Sequence, residues 1–147
     1  MEPKFTIPTE EIELPSKGLL YSADSPLATG KLEMKYMTAK EEDLLTNQNY
    51  IKNGTVIDKL LKSLIVNKDL DFNQILIGDK NAIMIAARIL SYGKDYKIRY
   101  AGEEIVVDLT ELKNFEIDES NYDSGTNNFE FELPSTGNKV TFKLLTH

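Results

Sequence analysis

The sequence contains no cysteine. That absence removes a disulfide framework, a thiolate metal site and a cysteine nucleophile together. Histidine is almost missing too, since His147, the last residue, stands alone. A lone terminal His reads as exposed and idle, and nucleophile triads and His-based metal sites are excluded unless a partner chain donates a group. No apolar run approaches the length of a membrane span. Met1-Glu2-Pro3-Lys4 is not followed by the apolar stretch of a signal peptide, so the expected compartment is a reducing cytoplasm. Clustered Lys and Arg are absent as well, and without them phosphate counterions are not displaced. Neither nucleic acid nor a membrane is an expected partner, and no cofactor is expected.

What is present reads as a globular chain of 147 residues, 41% hydrophobic and 28% charged, able to bury a modest core. The net charge of −7 is unevenly placed: residues 1–100 hold 14 acids and 14 bases, whereas 101–147 hold 10 acids and 3 bases. An acidic segment of this kind serves solubility or faces a basic partner.

Four of the five prolines, Pro3, Pro8, Pro15 and Pro26, fall within residues 1–29. Proline fixes φ and removes a backbone donor, which predicts an extended, irregular arm. Phe5, Ile7, Ile12, Leu14, Leu19, Leu20 and Tyr21 give this arm apolar contacts, made either with its own domain or with a neighbour. Residues 30–147 read as a single α+β domain. Leu32, Met34 and Tyr36 alternate with charged residues and predict one half-buried strand. Thr38-Ala39-Lys40-Glu41 has the form of a capping box, so a short helix is expected over about 39–46. A second follows Gly54 and Thr55, with Val56, Ile57, Leu60, Leu61, Leu64 and Ile65 at helical spacing. The third runs from about Lys80 to Tyr92, with Asp79 as cap and Gly93 as stop. Its segment NAIMIAARIL is apolar nearly all round, which predicts a central helix packed on more than one side. Two antiparallel hairpins then follow. Tyr96, Ile98 and Tyr100 turn at Ala101-Gly102 into Ile105, Val107 and Leu109, and Phe129, Phe131 and Leu133 turn into Val140, Phe142 and Leu144.

Several short patterns invite chemistry and fail on inspection. Leu133-Pro134-Ser135-Thr136-Gly137 matches a wall-sorting signal, but no apolar span and basic tail follow it; it reads as the bend of the second hairpin. Asp69-Leu70-Asp71-Phe72-Asn73 opens like a calcium loop, but Gln74 stands where Gly is needed and Lys80 where a bidentate Glu belongs. Ser16-Lys17-Gly18 and Gly78-Asp79-Lys80 lack the Gly-rich run of a phosphate cradle. Glu41, Glu42 and Asp43 could be drawn as an acid/base group, but the dipole of a first helical turn explains them more simply. Asn53-Gly54-Thr55 is a glycosylation sequon that a cytoplasmic chain would not use. Nothing rises to an active site.

Two blocks carry a resemblance. The first is Leu14-Pro15-Ser16-Lys17-Gly18-Leu19-Leu20-Tyr21, followed after a spacer by Gly30-Lys31-Leu32-Glu33-Met34-Lys35-Tyr36-Met37-Thr38-Ala39-Lys40-Glu41-Glu42-Asp43-Leu44-Leu45. The second is Leu76-Ile77-Gly78-Asp79-Lys80-Asn81-Ala82-Ile83-Met84-Ile85-Ala86-Ala87-Arg88-Ile89, closed by Tyr92-Gly93. In this order they resemble the baseplate proteins of T4-type contractile-tail phages, the family of the baseplate hub subunit and hub-assembly protein. The hairpin Phe129 to Leu145 also fits the pattern, so the likeness covers most of residues 12–145; the ordered combination is fairly specific, while each short motif alone is weak.

The resemblance implies a structural or interaction protein of the baseplate hub, with other tail proteins as partners and no catalysis. A homo-oligomer or symmetric assembly is compatible with it. It also admits a transient assembly chaperone, found in the host cytoplasm and absent from the virion. From a different class, a small ligand-binding module or hydrolase is disfavoured by the missing nucleophile and metal sets. The candidate partner-interface residues are Leu14, Pro15, Lys17, Leu19, Leu20 and Tyr21, with Glu41 and Glu42. Relatives carry paired cysteines in the hairpin corresponding to Tyr96–Leu109, where this chain has Tyr100-Ala101-Gly102-Glu103-Glu104, so a zinc site does not carry over. Relatives also continue past the equivalent of Leu144–His147, which makes this chain a short member or part of a longer one.

Overall fold

A computed structural model describes residues 7–147, so Pro3 and Phe5 of the arm lie outside the described residues. Strand β1 (Thr9–Glu13) pairs antiparallel with β2 (Lys31–Lys35), placing Ile12 opposite Leu32 and Glu10 opposite Met34. In β2, Leu32 and Met34 turn to the core while Lys31 and Glu33 face out, the alternation a half-buried strand requires. The arm is extended over strand β1, as expected, but regular there where an irregular chain was expected. Three glutamates in five residues give it little intrinsic strand preference, so pairing with β2 decides its conformation. Cross-strand contacts help: Lys31 reaches Glu11 at 2.6 Å, and Tyr36 donates to Glu10 at 2.9 Å.

Four helices follow: α1 (Ala39–Thr46), α2 (Gln48–Lys52), α3 (Val56–Leu64) and α4 (Ile77–Tyr92). The short α2 adds a helix to the three expected. Asn47 explains it, because its side chain accepts from the amides of Asn49 and Tyr50 and starts a new turn where α1 stops. Helix α4 begins three residues earlier than expected, with Leu76 at its cap position. Asp79 is therefore inside the first turn and is not the cap, for a reason given below. Its far end stops at Gly93, whose φ of 81° is open to glycine.

Two hairpins close the chain: β3 (Asp95–Tyr100) with β4 (Glu103–Asp108), and β5 (Phe129–Glu132) with β6 (Lys139–Phe142). The three sheets are separate and two-stranded, and with the helices they make an α+β fold. LPSTG is the bend between β5 and β6: the amide of Gly137, at φ 69°, donates to the carbonyl of Leu133 at 2.8 Å.

The core is assembled almost entirely from the first part of the chain. Leu14, Leu20, Tyr21 and Leu27 of the arm pack with Leu32 and Met34, with Leu60, Leu61 and Leu64 of α3, and with Ile83 and Ala87 of α4. The described part of the segment set apart at 1–29 thus shares one core with residues 30 onward. Burying Leu14 and Leu27 contributes about 2 kcal/mol each. Among the described residues, no buried apolar side chain lies beyond Ala87. Helix α4 is packed on more than one side, as expected, but its apolar surface is not covered all round. It rests on α3 and on the short turn Leu109–Glu111, and Arg88 lies over the Tyr96 ring of β3 at 5.6 Å, while Ile77, Ile85 and Tyr92 stay exposed.

Candidate interaction surface

The stretch Leu14–Tyr21 turns repeatedly instead of running straight. Lys17 donates its amide to the Leu14 carbonyl at 2.9 Å, Leu19 to Ser16 at 3.1 Å and Tyr21 to Gly18 at 3.2 Å. Lys17 and Gly18 both sit in the left-handed region, at φ 51° and 78°. The segment also passes very close to the chain entering β2. A Cβ on Gly18 would lie 2.4 Å from the Ala28 carbonyl oxygen, and one on Gly30 would lie 2.6 Å from that of Lys17. Only glycine fits at either place.

These turns aim Ser16 and Tyr21 at the start of α4. Asp79, buried there, accepts from the Ser16 amide at 3.0 Å, the Ser16 hydroxyl at 2.6 Å and the Tyr21 hydroxyl at 2.6 Å. The Tyr21 oxygen in turn accepts from the Leu76 amide at 2.9 Å, closing a circuit between arm and helix. This duty takes Asp79 away from capping. Burial, then the hydrogen bond to Asp79, pushes the Tyr21 hydroxyl far above its ordinary range. Glu41 forms a second buried polar centre, joining α1 to β2 and α3. It accepts from Lys35 at 2.7 Å, Ser63 at 2.6 Å, and the amide and hydroxyl of Thr38 at 3.0 and 2.5 Å. Burial opposes its ionisation, but these donors outweigh burial and hold the carboxyl down at about 2.

The eight interface candidates therefore separate. Leu14, Tyr21 and Glu41 are inside, where they hold the fold and offer no surface. Glu42 is exposed on α1, away from the others. Lys17 is exposed and pairs with Glu119 at 2.8 Å, which draws the acidic loop between β4 and β5 over the arm. The Gly125 amide fastens the same loop to the Leu19 carbonyl at 2.6 Å. Pro15, Leu19 and Leu20 line a cavity of about 510 Å³ between this loop, the start of α4 and the end of the chain.

Sequence reasoning did not foresee the other walls of that cavity: Leu76, Ile117, Tyr122 and Leu144. The last residues reach it through backbone pairing, Ile77 amide to Leu145 carbonyl at 3.0 Å and His147 amide to Ile75 carbonyl at 2.9 Å. The Asn127 side chain brackets Leu144, donating to its carbonyl at 2.9 Å and accepting from its amide at 2.8 Å. From the cavity an aromatic path leads outward. Tyr122 meets Phe129 edge-on at 6.0 Å, and Phe129 stacks on Phe142 at 5.3 Å. The β5–β6 register puts Phe129, Phe131, Val140 and Phe142 on one face of the hairpin, with Phe131 and Phe142 half exposed. On the other hairpin, Tyr96, Ile98, Tyr100 and Ile105 share a face and are all exposed.

His147 is exposed, as expected, yet its ring is engaged by neighbouring side chains. Its Nε2 lies 3.0 Å from Asp58 and its Nδ1 lies 2.7 Å from Lys80, which also binds Asp58 at 2.8 Å. With Nε2 protonated, the ring donates to Asp58 and accepts from Lys80, while its edge packs on Phe72 at 4.8 Å. All three groups satisfy one another, and the cluster ties the last residue to α3 and α4. Among the described residues, no group of His, Asp and Glu is arranged to hold a metal ion. No described helix is long and apolar enough to cross a membrane. Compared with known families, with curated proteins and with solved structures, the chain has no match.

Proposed function

We propose that this protein is a structural, interaction component of a contractile-tail phage baseplate hub. In this reading it acts in baseplate assembly by protein–protein contact, without catalysis, in the host cytoplasm during assembly and in the virion afterwards. The observation that carries the interaction role is the apolar surface beyond Ala87. A two-stranded hairpin is marginal alone and gains stability when its apolar face is covered. Here both hairpins present such faces to solvent, with Tyr100 70% and Leu145 75% exposed beside them. Extended apolar faces of this kind mark contact surfaces on soluble chains. The assignment to a baseplate rests on the two sequence blocks that resemble that family. Ser16 and Tyr21 of the first block meet Leu76 and Asp79 of the second in a single joint, as expected of parts of one inherited unit.

The test is mass spectrometry of purified virions alongside tail-assembly intermediates from infected cells. Stoichiometric presence in virions is the expected result. Presence in intermediates alone would make the protein an assembly chaperone, and absence from both would end the baseplate reading.

A further inference from the structure

We propose that the cavity bounded by Leu19, Leu76, Tyr122 and Leu144, together with the adjoining apolar face of β5–β6, docks a basic, apolar-studded segment of a different protein chain. The inference rests on the interaction role above and names the chemistry of the partner.

Three observations converge. First, the surface is continuous: Tyr122 lines the cavity and also packs on Phe129, which stacks on Phe142 of the hairpin face. A cavity of about 510 Å³ accommodates large apolar side chains of an incoming segment, while the hairpin face covers its flank. Second, the surroundings are acidic in net charge: residues 101–147 carry ten acids against the three bases Lys113, Lys139 and Lys143, of which Lys143 lines the cavity. Of the ten acids in residues 101–147, Glu119, Asp108 and Glu104 pair with Lys17, Lys94 and Lys97. Among the described residues no ion pair forms at the other seven, among them Glu116 and Asp123 on the loop that walls the cavity. An apolar face set in such a field recruits an apolar surface of opposite charge, which speeds encounter and selects the partner. Third, the same field disfavours a second copy, because facing copies would bring together two segments that each carry −7.

The experiment uses the full chain and three probes: an amphipathic leucine–lysine peptide, the matched leucine–glutamate peptide, and oligo-lysine. Binding is read by fluorescence anisotropy at low and high salt, and the contact by NMR shifts of the Phe129, Phe131 and Phe142 rings. The leucine–lysine peptide should bind in preference to both others and shift those rings. The preference should weaken about tenfold at high salt. The double variant Glu116→Lys, Asp123→Lys should lose about tenfold in affinity for that peptide. Phe131→Ser, at an exposed position, should weaken it without altering the fold. Equal binding of the leucine–glutamate peptide would overturn the assignment of a basic partner and leave the assembly role standing. Binding of oligo-lysine as tight as that of the leucine–lysine peptide, or ring shifts absent on binding, would overturn the site. So would concentration-dependent dimerisation, by sedimentation, that Phe131→Ser abolishes.

Discussion

Asp79→Asn is the most informative single change, because one side chain joins the arm to α4. The native carboxylate accepts from the Ser16 amide, the Ser16 hydroxyl and the Tyr21 hydroxyl, and all three contacts are at 3.0 Å or less. Asparagine is nearly the same size, so no cavity opens. It replaces one acceptor oxygen with a donor and removes the charge. If the amide nitrogen takes the Oδ1 place it faces the Ser16 N–H. If it takes the Oδ2 place, the Tyr21 and Ser16 hydroxyls, which both donate to Oδ2, face a donor and lose their acceptor. Hydrogen bonds to charged groups contribute about 1 kcal/mol more than neutral ones, and a buried orphan donor costs about 1–3 kcal/mol. The expected loss is about 4 kcal/mol, a large share of the total for a domain of this size. Tyr21→Phe should cost about 2 kcal/mol, through the Asp79 bond and the stranded Leu76 amide. The assay is urea unfolding of both single variants and the double, with the m-value as a check on two-state behaviour. Because the groups share one network, the double should cost at least about 1 kcal/mol less than the sum of the singles. A loss below about 1 kcal/mol for Asp79→Asn, or strict additivity in the cycle, would refute the account of the joint.

Two further outcomes follow from the same physics. Glu41 is held at about 2 against an ordinary 4.5, so the folded state favours its ionised form. That contribution, about 3 kcal/mol, is fully present above pH 4.5 and is lost as the pH falls toward 2. Urea titrations across this range should show the native chain losing stability more steeply than Glu41→Gln, which is weaker at neutral pH; parallel curves would contradict the assignment. Gly18→Ala should cost 3 kcal/mol or about that, since φ is 78° and the new methyl meets backbone at 2.4 Å. Thermal unfolding tests it against Gly54→Ala, where φ is also positive but no atom lies within 4 Å; equal losses would remove the close-approach argument.

Local rules carried the periodic elements. The alternation in β2, the spacing in α3 and the Gly-containing bends of both hairpins are written in neighbouring residues, although Tyr36, Leu109, Leu133 and Leu144 fall just beyond the strands their alternation suggests. What could not be read was anything set by distant partners. Asp79 has the sequence context of a cap, and it leaves that role because Ser16 and Tyr21, more than fifty positions away, supply better donors. Glu41 looks like a dipole residue until Lys35 and Ser63 close around it. Strand β1 exists because β2 offers an edge, and His147 is engaged because Asp58 and Lys80 converge on it.

Pro15, Leu19 and Leu20 of the interface candidates wall the cavity, but nothing in their sequence neighbourhood adds Ile117, Tyr122 and Leu144 to them. The reverse error, naming Leu14 and Tyr21 as surface, has the same source. An apolar residue in a proline-rich arm shows that it will be covered, not by what. Here the domain covers the arm. Among the described residues, most of the hairpin residues, whose alternation predicts burial on one face just as firmly, remain exposed, with Phe129 half-buried against the core. A pattern that calls for cover, on a face that the described residues leave open, is what motivates the proposed docking of a partner segment there.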